Sequence, residues 1–173
     1  YQDFALAGNL PIFENIYLGR EPGRSFLGMT LVDRKRAREM AHEHLDRLQI
    51  QVKSVDQNVE ELSGGQRQAV AIARATAFDA RLVIMDEPTA ALAVKEVGKV
   101  FELIFRLKEN GISVVIISHR MDDIFYVCDR VMALFHGSNF AEAPISKTNR
   151  NEVIGWIMGT KGHTESLAHD RVK

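Results

Sequence analysis

Two adjacent carboxylates, Asp86 and Glu87, close an apolar run at residues 82–85. A uniformly apolar run is expected for a strand that is buried on both faces of a parallel sheet. Open α/β sheets bind ligands at the carboxyl ends of their strands, which is where this pair falls. At that position Asp86 would hold Mg²⁺, directly or through water, and Glu87 would orient or deprotonate an attacking water. The alternative is an ordinary polar strand end that leads into a turn at Pro88.

A glycine-bearing stretch, LSGGQ at residues 62–66, precedes the carboxylates. Ser63 is a good N-cap residue, and the apolar residues after Gln66 recur at helical spacing. Gly64 and Gly65 would let backbone N–H groups approach a ligand at a helix end that carries partial positive charge. Taken alone, the stretch would be an ordinary capped helix. Together with Asp86, it favours a site for a nucleotide phosphate.

Further elements are predicted from periodicity and caps. Helices are predicted at residues 10–18, 33–48, 94–110, 121–128 and 149–158, and strands at 112–117 and 130–135, with a hairpin turn at 136–139. Residues Met40, Ala41, His44, Leu45 and Leu48 should form the inner stripe of the helix at 33–48. The strand–helix–strand order over 82–117 implies a parallel crossover. The crossover would bring Ser118 and His119 to the sheet edge that carries Asp86.

These motifs resemble those of ABC-type ATPases. Residues 62–66 match the signature motif and residues 82–87 the Walker B strand, while His119 is similar to the switch histidine and Gln2 to the Q-loop glutamine. The motifs follow the family's order over nearly the whole chain. The resemblance implies an α/β fold, a partial P-loop NTPase domain with a helix-flanked parallel sheet and a helical subdomain. It places the helical and signature part at 3–75 and the core α/β part at 76–160. The polar composition after Gly159 predicts a disordered tail at 161–173.

The resemblance also implies ligands and residue roles. Two ATPase domains would sandwich ATP and Mg²⁺ head to tail, so that each domain serves both its own nucleotide and its partner's. The catalytic residues would be Glu87, His119 and Gln2, and the Mg²⁺ ligands Asp86 and Gln2. The ATP of the partner protomer would be bound by Ser63, Gly64, Gly65 and Gln66.

Residues 1–21 are similar to ATPases of bacterial sugar importers, especially the ribose and fructose type. That similarity implies a second ATPase domain, membrane permease subunits and, indirectly, a substrate-binding protein as partners, and no nucleic acid. It also implies a peripheral location on the cytoplasmic face of the inner membrane. Two alternatives stay open: a non-transport ABC ATPase that acts on DNA or the ribosome, and a non-catalytic module that pairs with an intact ATPase.

No Gly-x-x-x-x-Gly-Lys-Ser/Thr phosphate loop occurs within the 173 residues. In ABC ATPases that loop precedes the Q-loop, so we expect the chain to be the C-terminal part of a longer domain. We also expect the isolated chain to hydrolyse ATP weakly or not at all, because the β- and γ-phosphates lack a cradle and a lysine. Ala93 takes the position that the family's D-loop usually gives to aspartate, which would remove a carboxylate contact across the dimer.

Charge balance, cysteine count and the length of the apolar runs limit the classes of function that this chain could have. The 22 Lys and Arg residues nearly balance the 23 Asp and Glu residues, so bulk charge gives no reason to expect nucleic-acid binding. The single cysteine, Cys128, excludes an intrachain disulfide, fits a reducing compartment and is expected to pack rather than react. No apolar run approaches the roughly 20 residues that a membrane span requires.

Overall fold

A computed structural model describes residues 5–26, 29–90 and 92–160. The chain forms two compact units, the first ending at Ile117 and the second beginning at Ser118. Gln2 and the predicted tail at 161–173 lie outside the described residues. The role of Gln2 and the division of the chain at residues 75 and 76 therefore stay predictions.

The helices of the first unit begin and end close to the predicted residues. Helix α2 (Arg34–Arg47) is capped by Asp33, whose side chain accepts the backbone N–H of Arg36 at 3.0 Å. Helix α4 (Val94–Glu109) ends shortly before Gly111, whose φ of 74° is the left-handed conformation common after helix ends. The other two helices are α1 (Ile12–Tyr17) and α3 (Gly64–Thr76).

Helices α1, α2 and α3 pack together around a shared apolar core. Its largest fully buried side chains include Phe13 and Ile16 of α1, Leu45 of α2 and Val70 of α3. His44 is buried on the same side of α2, as predicted from the inner stripe. This core fixes α3, the helix that begins within the LSGGQ stretch.

Strands β3 (Leu82–Asp86) and β4 (Ser113–Ile117) pair in parallel through α4, which confirms the predicted crossover. The prediction that residues 82–85 are buried on both faces is wrong for the described part of the chain. Val83 and Met85 are each 5% exposed, whereas Ile84 is 65% exposed. Alternate residues of a strand point to opposite faces, and the described residues cover only one of them. We call the other the open face, formed by Leu82, Ile84, Asp86, Val115 and Ile117.

A short antiparallel hairpin between α1 and α2 was not predicted. It pairs β1 (Gly23–Phe26) with β2 (Met29–Val32). No element is predicted between residues 18 and 33, because glycines and Pro22 interrupt the pattern there and four-residue strands are too short to show alternation. Leu31 and Val32 of this hairpin are more than half exposed.

The described residues of the second unit, 118–160, form a hairpin and two α-helices. Strands β5 (Arg130–Phe135) and β6 (Ser138–Pro144) pair antiparallel, as predicted. They are joined through His136 and Gly137, which have positive φ angles of 48° and 77°, as in the turns that suit two-residue hairpin loops. The two helices are α5 (Met121–Val127) and α6 (Arg150–Ile157).

Trp156 anchors the core of the second unit. It is 1% exposed and lies in one apolar cluster with Val131, Ala141 and Val153. Cys128 is partly buried and packs against this cluster, which confirms the prediction that it packs in an apolar environment.

Candidate functional site

The start of α3 is held by a capping box. The Ser63 hydroxyl accepts the backbone N–H of Gln66 at 3.3 Å, and the Gln66 side-chain oxygen accepts the backbone N–H of Ser63 at 3.1 Å. This reciprocal pair satisfies two of the donors that a helix N-terminus leaves unpaired and fixes its first turn. Ser63 is exposed, and Gly64 and Gly65 are half-buried. The four predicted nucleotide-binding residues are thus brought together at one helix end.

Glu96 of α4 reaches the same helix end, a contact that the sequence analysis missed. The pKa of Glu96 is lowered, mainly by the nearby Ser63 side chain and next by the Gly65 backbone. The backbone N–H of Ala93 donates to Glu96 Oε2 at 3.3 Å. A Cβ on Gly65 would lie 2.9 Å from Glu96 Cβ, so only glycine permits this approach. The hydrogen bond between Glu96 and Ala93 was predictable, because a Glu three residues after the N-cap residue commonly accepts its backbone N–H. The contact of Glu96 with α3 arises from tertiary packing and has no such signal.

Asp86 and Glu87 differ in environment although they are adjacent. Asp86 is exposed on the open face, whereas Glu87 is half-buried. The backbone of Glu87 is fixed on both sides, because its N–H donates to the Ile117 carbonyl at 2.8 Å and its carbonyl accepts the Ala90 N–H at 3.2 Å. Its φ of 47° lies in the left-handed region, which costs a non-glycine residue about 1–2 kcal/mol. Strain of this kind clusters at functional sites.

Among the described residues, no group of three His, Cys, Asp or Glu side chains comes together in a way that could hold a metal ion. Mg²⁺ in nucleotide sites is usually bound through one or two carboxylates together with phosphates and waters. The exposed oxygen ligands of Asp86 at a strand end fit that kind of site, in which the protein supplies few ligands.

His119 is the second residue of the second unit. It lies between β4 and α5 and is exposed, in a bend where the Arg120 N–H donates to Ser118 Oγ at 3.1 Å. The predicted role of His119 concerns a nucleotide and Glu87, which belongs to the first unit, so it stays a prediction. Gln2, predicted both as a catalytic residue and as a Mg²⁺ ligand, lies outside the described residues.

Asn15 holds the segment that leads from Gln2 into α1, and its role was not predicted. The side chain is fully buried. Its Oδ1 accepts the backbone N–H of Ala7 at 2.8 Å, and its Nδ2 lies 3.0 Å from the carbonyl of Ala7 and 3.1 Å from that of Leu10. A polar residue among the apolar residues of a short helix is the one sequence signal that could have pointed to it, because buried amides are normally hydrogen-bonded.

His44 joins α2 to the far end of α3. Its Nε2 lies 2.9 Å from the Ala73 carbonyl and 3.1 Å from Thr76 Oγ1. A carbonyl only accepts, so Nε2 donates and the neutral imidazole carries its proton there. Burial lowers the pKa of His44, outweighing the opposite effect of the hydrogen bond to Ala73.

A cleft of about 240 Å³ lies beside α1. It is formed by α1, β2, the start of α2 and the connection after α1, so it belongs to the segment that follows Gln2. Tyr17 lines it, and burial raises the pKa of that phenol. Its lining residues are Phe13, Glu14, Tyr17, Leu18, Glu21, Val32, Arg34 and Ala37.

Comparison with known proteins gives a consistent result. A family model described as ABC transporter matches residues 1–90. The chain is 41% identical over 159 residues to a ribose import ATP-binding protein of Chromobacterium violaceum, covering 92% of this chain and 31% of that protein. It is 46% identical over 165 residues to a fructose import ATP-binding protein of Rhizobium meliloti, covering 93% and 64%. The chain thus spans about a third of the length of several ribose-import relatives.

Solved structures point the same way. A dimeric ATP-binding cassette in a post-hydrolysis state, bound to ADP and Pi, is 29% identical with a TM-score of 0.65, covering 84% of this chain and 61% of that one. The ADP conformation of another ABC transporter cassette is 28% identical with a TM-score of 0.66, covering 87% and 60%. Both likenesses confirm the predicted α/β P-loop NTPase fold class.

Proposed function

The chain belongs to the ABC transporter family, and on that premise we propose that it is part of the ATP-binding and ATP-hydrolysing subunit of a carbohydrate importer. The observation that carries the proposal is the start of α3, where the LSGGQ stretch forms a capped helix end with its backbone donors gathered together. Three relatives that are 41–46% identical to this chain are named as import ATP-binding proteins, one for ribose, one for xylose and arabinose, and one for fructose. Their names support a carbohydrate as the transported substrate.

The roles of the residues follow from their chemistry. Asp86 and Gln2 would hold Mg²⁺, which when bound would neutralise charge on the β- and γ-phosphates of ATP. Glu87 would orient the attacking water, a contribution of about 10²–10⁴-fold in rate. His119 would contact the γ-phosphate. Two backbone hydrogen bonds fix the main chain of Glu87, and this fixes the point from which its carboxylate projects.

The residues of the LSGGQ stretch would act on a second ATPase domain. Ser63, Gly64, Gly65 and Gln66 would bind the phosphates of the ATP that the partner holds, through backbone N–H groups and the Ser63 hydroxyl. The cleft beside α1 is a candidate contact for a permease subunit, since it belongs to the segment after Gln2. Such an assembly would place the chain peripherally at the cytoplasmic face of the membrane. No helix of the described part of the chain has the length and apolar character to cross a bilayer itself.

The test is ATP-dependent association of this chain with the intact fructose-import relative, measured by light scattering with and without ATP and Mg²⁺. We expect association only with nucleotide. S63A should weaken it about 10- to 100-fold, because a hydrogen bond to a charged phosphate is lost. S54A is the matched control, since the exposed Ser54 hydroxyl also accepts a backbone N–H, that of Asp56 at 3.1 Å. Equal association of S63A and the unmodified chain would contradict the proposed role of α3.

Turnover tests the catalytic part. We expect ATP hydrolysis by this chain alone to be weak, because its 173 residues include no phosphate loop. If the chain instead turns over ATP at ordinary rates with Mg²⁺, and E87Q abolishes that rate, the expectation of weak turnover is wrong while the role of Glu87 is supported.

A second candidate is a non-catalytic module that pairs with an intact ATPase. The formed start of α3 favours it, since every residue that would act on the partner's ATP belongs to that helix end or lies beside it. The two candidates predict different rates of ATP turnover when this chain is added to an intact relative whose own turnover is known. A module without catalysis would raise the partner's turnover by an amount that E87Q leaves unchanged.

A further inference from the structure

We propose that Arg74 is a positioning residue, which ties the segment after Gln2 to the helix that starts at the LSGGQ stretch. Arg74 lies in the second half of α3, and its Nη1 donates to the backbone carbonyl of Ala5 at 2.7 Å. The inference rests on the proposed function, in which Gln2 and the LSGGQ stretch serve the ATP of different protomers. It adds a path by which nucleotide bound at one helix end reaches the segment that serves the other nucleotide.

The segment at residues 5–10 forms neither a helix nor a strand, so contacts with other parts of the first unit hold it. On one side Asn15 of α1 accepts the Ala7 N–H at 2.8 Å. On another the Glu60 N–H donates to the Gly8 carbonyl at 3.0 Å, and Glu60 comes just before the LSGGQ stretch. The segment is therefore bonded both to α1 and to the chain that leads into α3.

Arg74 supplies a third contact, at a residue whose backbone is strained. Ala5 has a φ of 51°, in the left-handed region that residues other than glycine seldom adopt. Such a conformation persists only where the surrounding contacts fix it. A hydrogen bond from a charged donor is stronger than one between neutral groups, and Arg74 is half-buried. The guanidinium thus holds the chain three residues after Gln2.

Helix α3 turns these contacts into a link between its two ends. It rises about 15 Å between Gly64 and Arg74. It packs against α1 and α4, and its second half is bonded to α2, because His44 Nε2 donates to the Ala73 carbonyl at 2.9 Å. Packed elements shift as units rather than deform continuously. A nucleotide that fixes the start of α3 would therefore also fix Arg74 and the Ala5 carbonyl.

The simpler possibility is that Arg74 only supports the local fold. R74M keeps most of the aliphatic stem and removes the donors, and both ideas predict that it speeds amide exchange at Ala7 in the chain alone, by about two- to tenfold. They differ when nucleotide-driven association is added. A support leaves the ratio of free to bound exchange rates at Ala7 unchanged in R74M, whereas a positioning residue makes that ratio fall toward one.

The experiment measures amide hydrogen exchange by NMR for the isotope-labelled full chain, alone and in its ATP-dependent complex with the intact fructose-import relative. The unmodified chain, R74M and R74K are compared. We expect association to slow exchange at Ala7 in the unmodified chain and to lose this effect in R74M. R74K keeps the charge and a donor, so it should retain part of the slowing.

Two controls separate the path through Arg74 from other effects. The Val59 N–H donates to the Leu10 carbonyl at 3.2 Å, and Val59 is joined to the LSGGQ stretch by the chain itself, so its exchange should slow on association even in R74M. R106M is the matched variant, because Arg106 Nη1 likewise donates to a backbone carbonyl of the first unit, that of Leu48 at 3.2 Å. R106M should leave the ratio at Ala7 unchanged.

Loss of the slowing at Ala7 in R74M, with slowing at Val59 retained, supports the inference. An equal ratio at Ala7 in R74M and the unmodified chain overturns it, as does unchanged exchange at Ala7 in R74M alone. If R74M does not associate, R74K decides: a reduced ratio supports the inference, and an unchanged one overturns it.

Failure of the link and failure of the proposed function give different results. If the unmodified chain does not associate at all, the proposed function fails, and the inference falls with it. If it associates and S63A weakens the association while exchange at Ala7 is not slowed, the proposed function stands and only the link through Arg74 is refuted.

Discussion

Replacing His44 by glutamine should remove a pH-dependent contribution to the free energy of unfolding. His44 is 9% exposed, and its Nε2 donates to the Ala73 carbonyl at 2.9 Å. Burial lowers its pKa below the ordinary value of 6.5. The unfolded chain therefore binds a proton at this residue between the lowered pKa and about 6.5, where the folded chain does not.

The sign and the upper limit of the change in the free energy of unfolding with pH follow from that difference in proton binding. Above about pH 6.5 the imidazole is neutral in both states, and the contribution is constant. As the pH falls below that value, protonation favours the unfolded chain and the free energy of unfolding decreases. One proton changes it by at most about 1.4 kcal/mol per pH unit. A glutamine amide can donate to Ala73 in place of Nε2 but does not titrate in this range.

Urea unfolding at pH 7.5, 6.5, 6.0 and 5.5, followed by circular dichroism, measures this contribution. We expect the unmodified chain to lose more stability on acidification than H44Q, with the difference opening below about pH 6.5. H42Q controls for the loss of an imidazole on the exposed side of α2, where His42 lies 2.8 Å from Asp46 Oδ2. Parallel profiles for the unmodified chain and H44Q would refute the account, and so would a gain in stability of the unmodified chain on acidification.

Two further predictions concern single contacts. N15A should lower the free energy of unfolding by about 2–3 kcal/mol, because it leaves the partly buried Ala7 N–H without its 2.8 Å acceptor and removes the other hydrogen bonds of a fully buried amide. Urea unfolding measures this, and hydrogen exchange at Ala7 should accelerate. A loss below about 0.5 kcal/mol would contradict it. A93S should raise the free energy of unfolding by about 1 kcal/mol, since α4 has no side-chain acceptor at its N-cap and a serine hydroxyl could accept the Glu96 N–H. A93V, which adds bulk without an acceptor, is its control, and an equal gain in both variants would contradict the capping explanation.

The helices were predictable because their signals are local. Asp33, Ser63 and Asn149 are polar caps, and each side chain accepts a backbone N–H at the start of its helix. Gly111 marks the end of α4 by its left-handed backbone. Such signals need only neighbouring residues, so the sequence alone carries them.

Other features depend on what the fold brings together. The apolar run at 82–85 indicated a strand but not which faces are covered, because coverage is decided by other elements. The contact of Glu96 with Gly65 joins residues of two helices, and the spacing along the chain does not reveal it. The sequence shows Asn15 only as a polar residue in a short helix. Its hydrogen bonds to the Ala7 backbone form only in the folded chain. The sequence therefore predicted the motif residues of the candidate site but not the contacts, made by Glu96 and Asn15, that support its surroundings.

The left-handed backbone of Glu87 has a consequence for directed evolution. A library at this position that is selected only for folding should favour glycine and asparagine, which adopt a φ near 47° with less strain. The same library selected for the proposed ATP-driven transport should retain the carboxylate despite its strain. The two enrichment profiles, compared at one codon, would separate the demands of folding from those of chemistry.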